Sequence, residues 1–211
     1  MKKLFILLLL IGIFAVNAAE VFFVPGWRTG DSSRAGCVRI MRDIWPGYDI
    51  SVKSWNSSVA LTDAIKNAEH CADLLKKEIS AMPEARRKKL ILAGHSLGGA
   101  VVLDVLDHLA KNKMKIAGAA LLGTPAAADD PRLSKIMDAL TGNCYNVAFA
   151  GDTLLQFLYS FNAPGKPLGV GGSSFKHPRF VEHIEKNEPD LTNHFAYKYL
   201  EVLDRVVDSV K

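Results

Sequence analysis

Cysteine is scarce in this sequence. The 211 residues include three, Cys37, Cys71 and Cys144, and an odd number cannot all pair within one molecule. At most one internal disulfide is therefore possible. Their spacings match no zinc-binding pattern, and no spacing of aspartate and histidine indicates another metal. We expect small buried cysteines in a chain long enough to fold without crosslinks.

An excess of charge of one sign is also missing. The formal net charge is +4, and it falls to +2 if Lys2 and Lys3 are removed. A balance so close to neutral gives no reason to expect nucleic acid as a partner. The basic run at 86–89 precedes a predicted strand and is interpreted as a solvated turn. The glycine cluster at 169–172 follows no strand, so the sequence predicts no nucleotide-binding loop and no other cofactor.

Long apolar runs are confined to the first residues. A charged start, the apolar stretch 4–16 and the small residues 17–19 have the order of a secretory signal peptide. We expect cleavage after Ala18, which makes residues 1–18 the signal peptide and residues 19–211 a single secreted or periplasmic domain. An uncleaved membrane anchor is the alternative, although the stretch is shorter than the roughly 20 residues that a membrane-spanning helix needs.

After residue 19, short β-branched or aromatic runs alternate with longer amphipathic ones. The predicted strands span Val21–Val24, Asp49–Ser54, Leu90–Ala93, Ala117–Leu122 and Tyr145–Ala150, and the predicted helices span Ser32–Ile44, Leu61–Met82, Gly99–Asn112, Pro131–Leu140 and Asn193–Val210. This alternation is typical of an α/β protein, and it predicts a mostly parallel sheet of about five strands with helices on both faces. The stretch Phe161–Ser174, rich in Gly, Pro and Ser, is interpreted as a mobile loop.

One motif carries specific chemistry. The third predicted strand runs directly into Gly94-His95-Ser96-Leu97-Gly98-Gly99 and then into a helix. A strand, a sharp turn with a central serine and a helix are the context of a nucleophile elbow, in which the flanking glycines avoid steric clashes. The simpler alternative is a glycine-rich helix start with Ser96 as its N-cap. The flanks on both sides favour the elbow.

These residues resemble the lipase and serine esterase branch of the α/β-hydrolases, in which a Gly-His-Ser-Leu-Gly-Gly elbow is frequent. The opening run 21–27 is similar to the strand and His-Gly loop of that family, with Pro25 in the usual place of histidine. The runs 122–125, 146–152 and 154–159 also resemble lipase-like segments. The resemblance implies a compact α/β-hydrolase domain over residues 19–211.

The same resemblance implies a serine, an acid and a histidine in that chain order, because an unassisted serine hydroxyl is a poor nucleophile. Asp152 follows the fifth predicted strand and is the favoured acid; its rivals are Asp129 and Asp130 in the preceding loop. His194 is the favoured base, since the run His194-Phe195-Ala196-Tyr197 resembles a His-x-x-Tyr of class 3 lipases.

Other histidines are less suitable. His177 and His183 also follow the candidate acid and remain alternatives, whereas His70 and His108 precede it. His95 should point away from its neighbour Ser96. The extra strand that the family carries before its histidine is not evident in the sequence.

Backbone amides should complete the chemistry by stabilising the oxyanion of acyl transfer. The Leu97 N–H follows the nucleophile and is one candidate donor. The Trp27 N–H, just beyond Gly26, is the other, because that loop lies beside the elbow in this topology.

The elbow predicts acyl transfer without specifying the acyl group. We expect a carboxylic ester hydrolase acting on a small-molecule ester or lipid, in transient contact with a membrane surface if the substrate is a lipid, and needing no metal. Thioesterase or acyltransferase chemistry would use the same residues. A catalytically silent binding module of the cell envelope is a further alternative. The apolar run at 154–161 predicts either a lid over the pocket or a core helix, and the sequence gives no oligomeric state.

Overall fold

The computed structural model describes residues 19–160 and 165–210. In this part of the chain, six parallel strands form one sheet in the order β2-β1-β3-β4-β5-β6. The strands are β1 (Glu20–Val24), β2 (Asp49–Val52), β3 (Leu90–His95), β4 (Gly118–Leu122), β5 (Cys144–Phe149) and β6 (Phe180–Glu185). The expected signal peptide, residues 1–18, lies outside the described residues.

Helices connect the strands. They are α1 (Asp31–Ile44), α2 (Leu61–Ala81), α3 (Glu84–Arg87), α4 (Leu97–Lys111), α5 (Arg132–Ile136), α6 (Thr153–Ser160), α7 (Leu168–Gly171) and α8 (Ala196–Ser209), with 3₁₀ turns at Met137–Ala139 and Leu191–His194. Helices α2 and α4 pack on one face of the sheet, and α1 and α8 pack on the other. The predicted α/β class with helices on both faces is confirmed.

The apolar core is divided by the sheet into two layers. Along β1, Phe22 and Val24 face α2 and α4, while Val21 and Phe23 face α1 and α8. This alternation follows from the two-residue period of a strand. Both faces of a central parallel strand are covered, which explains why β1, β3 and β4 are almost uniformly apolar. Cys37, Cys71 and Cys144 are all buried in these layers and unpaired.

Two predicted features need correction. The sheet has six strands rather than about five, because β6 forms the edge beside β5 and provides the strand that the sequence did not reveal. Part of the stretch interpreted as a mobile loop is ordered: α7 is buried, and the Cα of Gly169 packs so closely on Gly123 that a side chain would overlap its backbone. Residues 161–164 lie outside the described ranges.

Candidate active site

Ser96 is held in a backbone conformation that non-glycine residues rarely adopt. It lies between the end of β3 and the start of α4 with φ 53° and ψ −126°. Its N–H donates to Leu122 O on the neighbouring strand at 2.8 Å, and its carbonyl accepts from Gly99 N at 2.8 Å. Such strain persists only where surrounding contacts enforce it, and it is frequent at functional sites. The turn presents the side chain at the carboxyl edge of the sheet.

The glycines around Ser96 leave no space for a side chain. A Cβ at Gly94 would overlap the Gly98 carbonyl, one at Gly98 would overlap the Val24 carbonyl, and one at Gly99 would overlap the Thr124 hydroxyl. Strand β3, helix α4 and strand β1 approach each other only because these atoms are missing. Glycine is therefore required at these three positions by the close approach of the surrounding atoms.

Three side chains from distant parts of the chain meet at Ser96. His194 Nε2 lies 2.9 Å from Ser96 Oγ, and His194 Nδ1 lies 2.6 Å from Asp152 Oδ2. Asp152 is fully buried, and the His194 side chain is 11% exposed. The structure thus brings together the serine, acid and histidine that the sequence analysis favoured, in the order of contacts that general-base activation of a serine needs.

Three of the rival residues, Asp130, His177 and His183, have other partners. Asp130 binds Arg132 at 2.7 Å, and its neighbour Asp129 lies in the same turn. His177 Nδ1 accepts from the Arg179 N–H at 3.1 Å, and His183 lies 3.0 Å from Glu185. The side chains of Asp130, His177 and His183 therefore have structural contacts with residues close to them in sequence.

Asp152 has a second strong donor that the sequence analysis missed. The Tyr199 hydroxyl donates to Asp152 Oδ2 at 2.6 Å, and the Leu155 N–H donates to Oδ1 at 2.8 Å. Burial, and then the charge of Asp152 and the hydrogen bond to it, raise the pKa of Tyr199 well above its usual range, so the phenol remains a donor. Tyr197, the tyrosine of the His-x-x-Tyr run, is exposed instead.

A signal for Tyr199 is present in the sequence. It lies on the apolar stripe of α8 beside Leu200 and Leu203, and these three residues are fully buried. A phenol within such a stripe requires a buried hydrogen-bond partner.

His95 is buried beside His194. Its ring centre is 4.9 Å from that of His194 and 5.4 Å from that of Tyr199. Among the described residues, neither ring nitrogen has a hydrogen-bond partner. Burial and the neighbouring His194 hold the pKa of His95 well below its usual range, so the ring is neutral.

The loop after β1 lies directly against the elbow. A Cβ placed on Gly26 would lie 2.8 Å from Ser96 Cβ, so the loop approaches this closely only with glycine there. The next amide, Trp27 N–H, and the Leu97 N–H donate to no other described residue. The Trp27 ring is fixed separately, since its Nε1–H donates to Val59 O at 2.8 Å. Two backbone donors are therefore free beside Ser96.

Two clefts open at this site. The first cleft, about 350 Å³, is mainly apolar and is lined by Trp27, Leu61, Ile65, Ser96, Leu97, Ala100, Pro125, Leu154, Leu155, Leu158, Tyr159 and His194. The second cleft, about 370 Å³, is lined by Trp27, Arg28, Thr29, Ser33, Cys37, His95, Leu154, His194, Phe195, Ala196 and Tyr197. Helix α6 forms a wall of the first cleft, and it packs through buried Leu155 and Tyr159.

Comparison with known families gives a broad match. The family described as "Protein of unknown function (DUF726)" matches residues 39–207, a range that includes Ser96, Asp152 and His194. An uncharacterized membrane protein of Schizosaccharomyces pombe is 26% identical over 184 residues. The match covers 83% of this chain and 30% of that protein, so this chain spans less than a third of its relative's length.

Solved structures with a similar fold include several esterases. Esterase PE8 has a TM-score of 0.56 at 14% identity, covering 92% of this chain and 94% of its own. A hyperthermophilic esterase from the archaeon Pyrobaculum calidifontis has a TM-score of 0.54 at 11% identity, covering 92% and 77%. At such low identity the likeness shows the fold: this chain has the fold of the α/β-hydrolases.

The expected secreted or periplasmic location is wrong. The finding that overturns it is the fission-yeast relative, which is described as a membrane protein. A charged start followed by a short apolar stretch is shared by cleaved signal peptides and by segments that remain in a membrane, so the pattern does not determine the location. Among residues 19–160 and 165–210, no helix has the length and apolar character needed to cross a bilayer.

Proposed function

This chain belongs to the DUF726 family, and we propose that it is a serine hydrolase that cleaves carboxylic esters. The description of the family states no function, so the proposal is inferred from the residues of the site. Its resemblance to the lipase and esterase branch, with residues 19–211 as one catalytic domain, supports the same proposal. The observation that carries it is the pair of contacts joining His194 to Ser96 and to Asp152.

The geometry supports a two-step acyl transfer. Ser96 Oγ attacks the ester carbonyl carbon while His194 Nε2 takes the hydroxyl proton. The imidazolium then donates this proton to the leaving oxygen, the carbon–oxygen bond breaks, and an acyl-enzyme remains on Ser96. Water, activated by the same histidine, releases the carboxylic acid. Asp152 holds the Nδ1–H side of the ring throughout and stabilises the imidazolium.

Backbone N–H groups would stabilise the tetrahedral oxyanion. The Leu97 amide follows Ser96, the Trp27 amide follows Gly26, which packs against Ser96, and neither amide has an internal acceptor among the described residues. Fixed donors of this kind need little reorganisation during the reaction, which makes them effective in a partly dry site. The mechanism requires no metal or organic cofactor.

The first cleft supports an apolar acyl group. Leucine, isoleucine and alanine side chains of α2, α4 and α6 form most of its walls next to Ser96. Burial of a methylene contributes about 0.8 kcal/mol, so kcat/KM should rise with acyl length until the cleft is full. Exposed Phe157, Leu191 and Phe195 support transient contact with a membrane surface. Thioesters would fit the same site, and an acyltransferase would replace water with an acceptor alcohol.

Fluorophosphonate labelling tests the proposal. A fluorophosphonate modifies only an activated serine, so the wild-type protein should be labelled and Ser96→Ala should not. The same two proteins should differ in hydrolysis of p-nitrophenyl butyrate and octanoate, and the wild-type rate should persist in a chelator. An unlabelled, inactive wild-type protein with a cooperative unfolding transition would favour the silent binding module instead.

A further inference from the structure

The second cleft meets the first at His194. Both contact Trp27, Leu154 and His194, but Ser96 lines only the first cleft. In ester hydrolysis the acyl carbon is bonded to the serine, whereas the leaving oxygen takes its proton from the histidine. The cleft that contacts the histidine and not the serine is therefore on the leaving-group side. This assignment rests on the proposed function.

The side chain of Arg28 lines this second cleft. Arg28 is exposed, and its guanidinium carbon lies 4.8 Å from the centre of the Trp27 ring. Among the described residues it forms no salt bridge. Asp31, three residues on, is bound by Arg34 at 3.2 Å. The guanidinium remains available to an anion from solution.

The backbone directs Arg28 into this position. Its φ is 55°, which is uncommon for a residue with a side chain, and its N–H donates to Ser57 O at 3.2 Å. A guanidinium stacked on an aromatic ring is well placed to form paired hydrogen bonds with phosphate. The loop that offers the Trp27 amide to the oxyanion thus also holds a cation one residue further along.

The walls of the second cleft are mainly apolar and hold no described carboxylate that would repel an anion. No aspartate or glutamate of the described part of the chain lines either cleft. His95 is 4% exposed, contacts the second cleft and has two ring nitrogens without a described partner. Both nitrogens are fully buried, so the ring forms part of the cleft wall and no hydrogen bond to a ligand is assigned to it.

We propose that the second cleft binds a phosphate-bearing leaving group, with Arg28 as the residue that selects it. The substrate is then an ester or thioester that joins an apolar acyl group to a phosphate-bearing alcohol or thiol. Hydrolysis breaks the bond between the acyl carbon and the leaving atom, adds water across it, and releases an apolar carboxylic acid and the phosphate-bearing alcohol or thiol.

Binding of two ethers tests the inference without requiring turnover. 1-O-octylglycerol and its 3-phosphate share the same apolar chain, and neither is cleaved by an esterase. By titration calorimetry the wild-type protein should bind the phosphate about tenfold more tightly, as one charge-assisted contact allows. Arg28→Asn should abolish this preference, because asparagine tolerates a positive φ but carries no charge. Arg28→Lys should retain part of it.

A matched control removes one positive charge elsewhere on the same side of the sheet. Arg42 is exposed in the last turn of α1 and lines neither cleft, so Arg42→Gln should leave both affinities unchanged. Equal affinity of the wild-type protein for the two ethers overturns the inference, as does equal weakening of both by Arg28→Asn. The inference is also overturned if neither ether binds the wild-type protein.

Kinetics separate this inference from the proposed function. The esters 1-octanoylglycerol and 1-octanoylglycerol 3-phosphate should show an Arg28-dependent preference in kcat/KM, and octanoyl-coenzyme A distinguishes a thiol from an alcohol source of phosphate. If the phosphate ether binds through Arg28 but no ester or thioester is cleaved, the proposed function fails while the binding site stands. If both octanoylglycerol esters are cleaved equally, only the leaving-group inference fails.

Discussion

Tyr199 donates its phenolic hydrogen to the same carboxylate oxygen of Asp152 that contacts His194, and both distances are 2.6 Å. The carboxylate is fully buried and its other oxygen accepts from the Leu155 amide. In the proposed mechanism Tyr199 is therefore a positioning residue, because it holds Asp152, which in turn orients His194.

Tyr199→Phe should lower kcat for an ester about tenfold while leaving KM within twofold, because the acid loses one constraint but neither cleft changes. The free energy of unfolding should fall by about 1–3 kcal/mol, since a buried carboxylate oxygen loses a donor. Steady-state kinetics and urea unfolding measure the two effects. A loss of stability with kcat unchanged would make the hydroxyl purely structural.

Replacing each candidate histidine by alanine should show, from the loss of ester turnover, which one acts as the general base. His194→Ala should lower ester turnover by roughly a thousandfold or more, because the serine proton loses its acceptor. His177→Ala and His183→Ala serve as controls and should lower ester turnover far less. The turnover of Asp152→Asn should lie between that of His194→Ala and that of the two control variants. A collapse confined to His177→Ala would contradict the assignment of His194.

The strained backbone at Ser96 predicts a difference between two inactive variants. Ser96→Gly and Ser96→Ala both lose the hydroxyl, but only glycine is comfortable at φ 53°. We expect the glycine variant to be about 1 kcal/mol more stable than the alanine variant in urea unfolding. Equal stability, or a more stable alanine variant, would show that the turn stores no appreciable strain.

Gly26 should control the oxyanion donor. A methyl group there would lie 2.8 Å from Ser96 Cβ and displace the loop that carries the Trp27 amide. Gly26→Ala should therefore lower kcat by about a hundredfold, a typical cost of losing one oxyanion donor. Gly30→Ala is the matched control in the same loop, because a Cβ at Gly30 meets nothing within 4 Å. Similar activity of the two variants would refute the steric argument.

Alkaline pH should destabilise the fold through its buried thiols. Burial raises the pKa of Cys144 to about 12, above an ordinary thiol value of about 8.5. The folded chain thus retains a proton that the unfolded chain loses, so this stability is fully present below about pH 8.5 and is lost as pH rises toward 12.

For Cys144 the loss between pH 8 and pH 10 is about 2 kcal/mol. Urea unfolding under a phosphine reductant should show a flatter decline for Cys144→Ala over this range. Cys37 and Cys71, whose pKa values are raised to about 11, contribute equally to the wild-type protein and the variant. Parallel declines would mean that the Cys144 thiol is not perturbed.

The parts that the sequence predicted are those with local signals. Strands β1 and β3 could be recognised because a central parallel strand is apolar on both faces, and the Ser96 elbow because its glycines surround it in sequence. Strand β6 was missed because it is an edge strand, and its Phe180–Glu185 residues are mostly half-buried.

Longer-range features were harder. The pairing of Asp152 with His194 spans 42 residues. It was expected from the resemblance to a family, with Asp152 chosen for its place after the fifth predicted strand and His194 for its His-x-x-Tyr run. The contact of Tyr199 with Asp152 depends on how α8 docks on the sheet, which no local pattern specifies. The clefts are formed by side chains from several segments, so neither their volumes nor the position of Arg28 could be deduced from spacing.

The docking of α8 also makes the site sensitive to local opening. Tyr199 belongs to the apolar layer between α8 and the sheet, while His194 lies in the 3₁₀ turn that leads into this helix. If α8 detaches, the base and the support of the acid leave together, although the Ser96 elbow stays folded between β3 and α4. If the proposed hydrolysis is observed, its rate therefore reports on whether α8 is docked, and we expect it to be lost before the sheet itself unfolds.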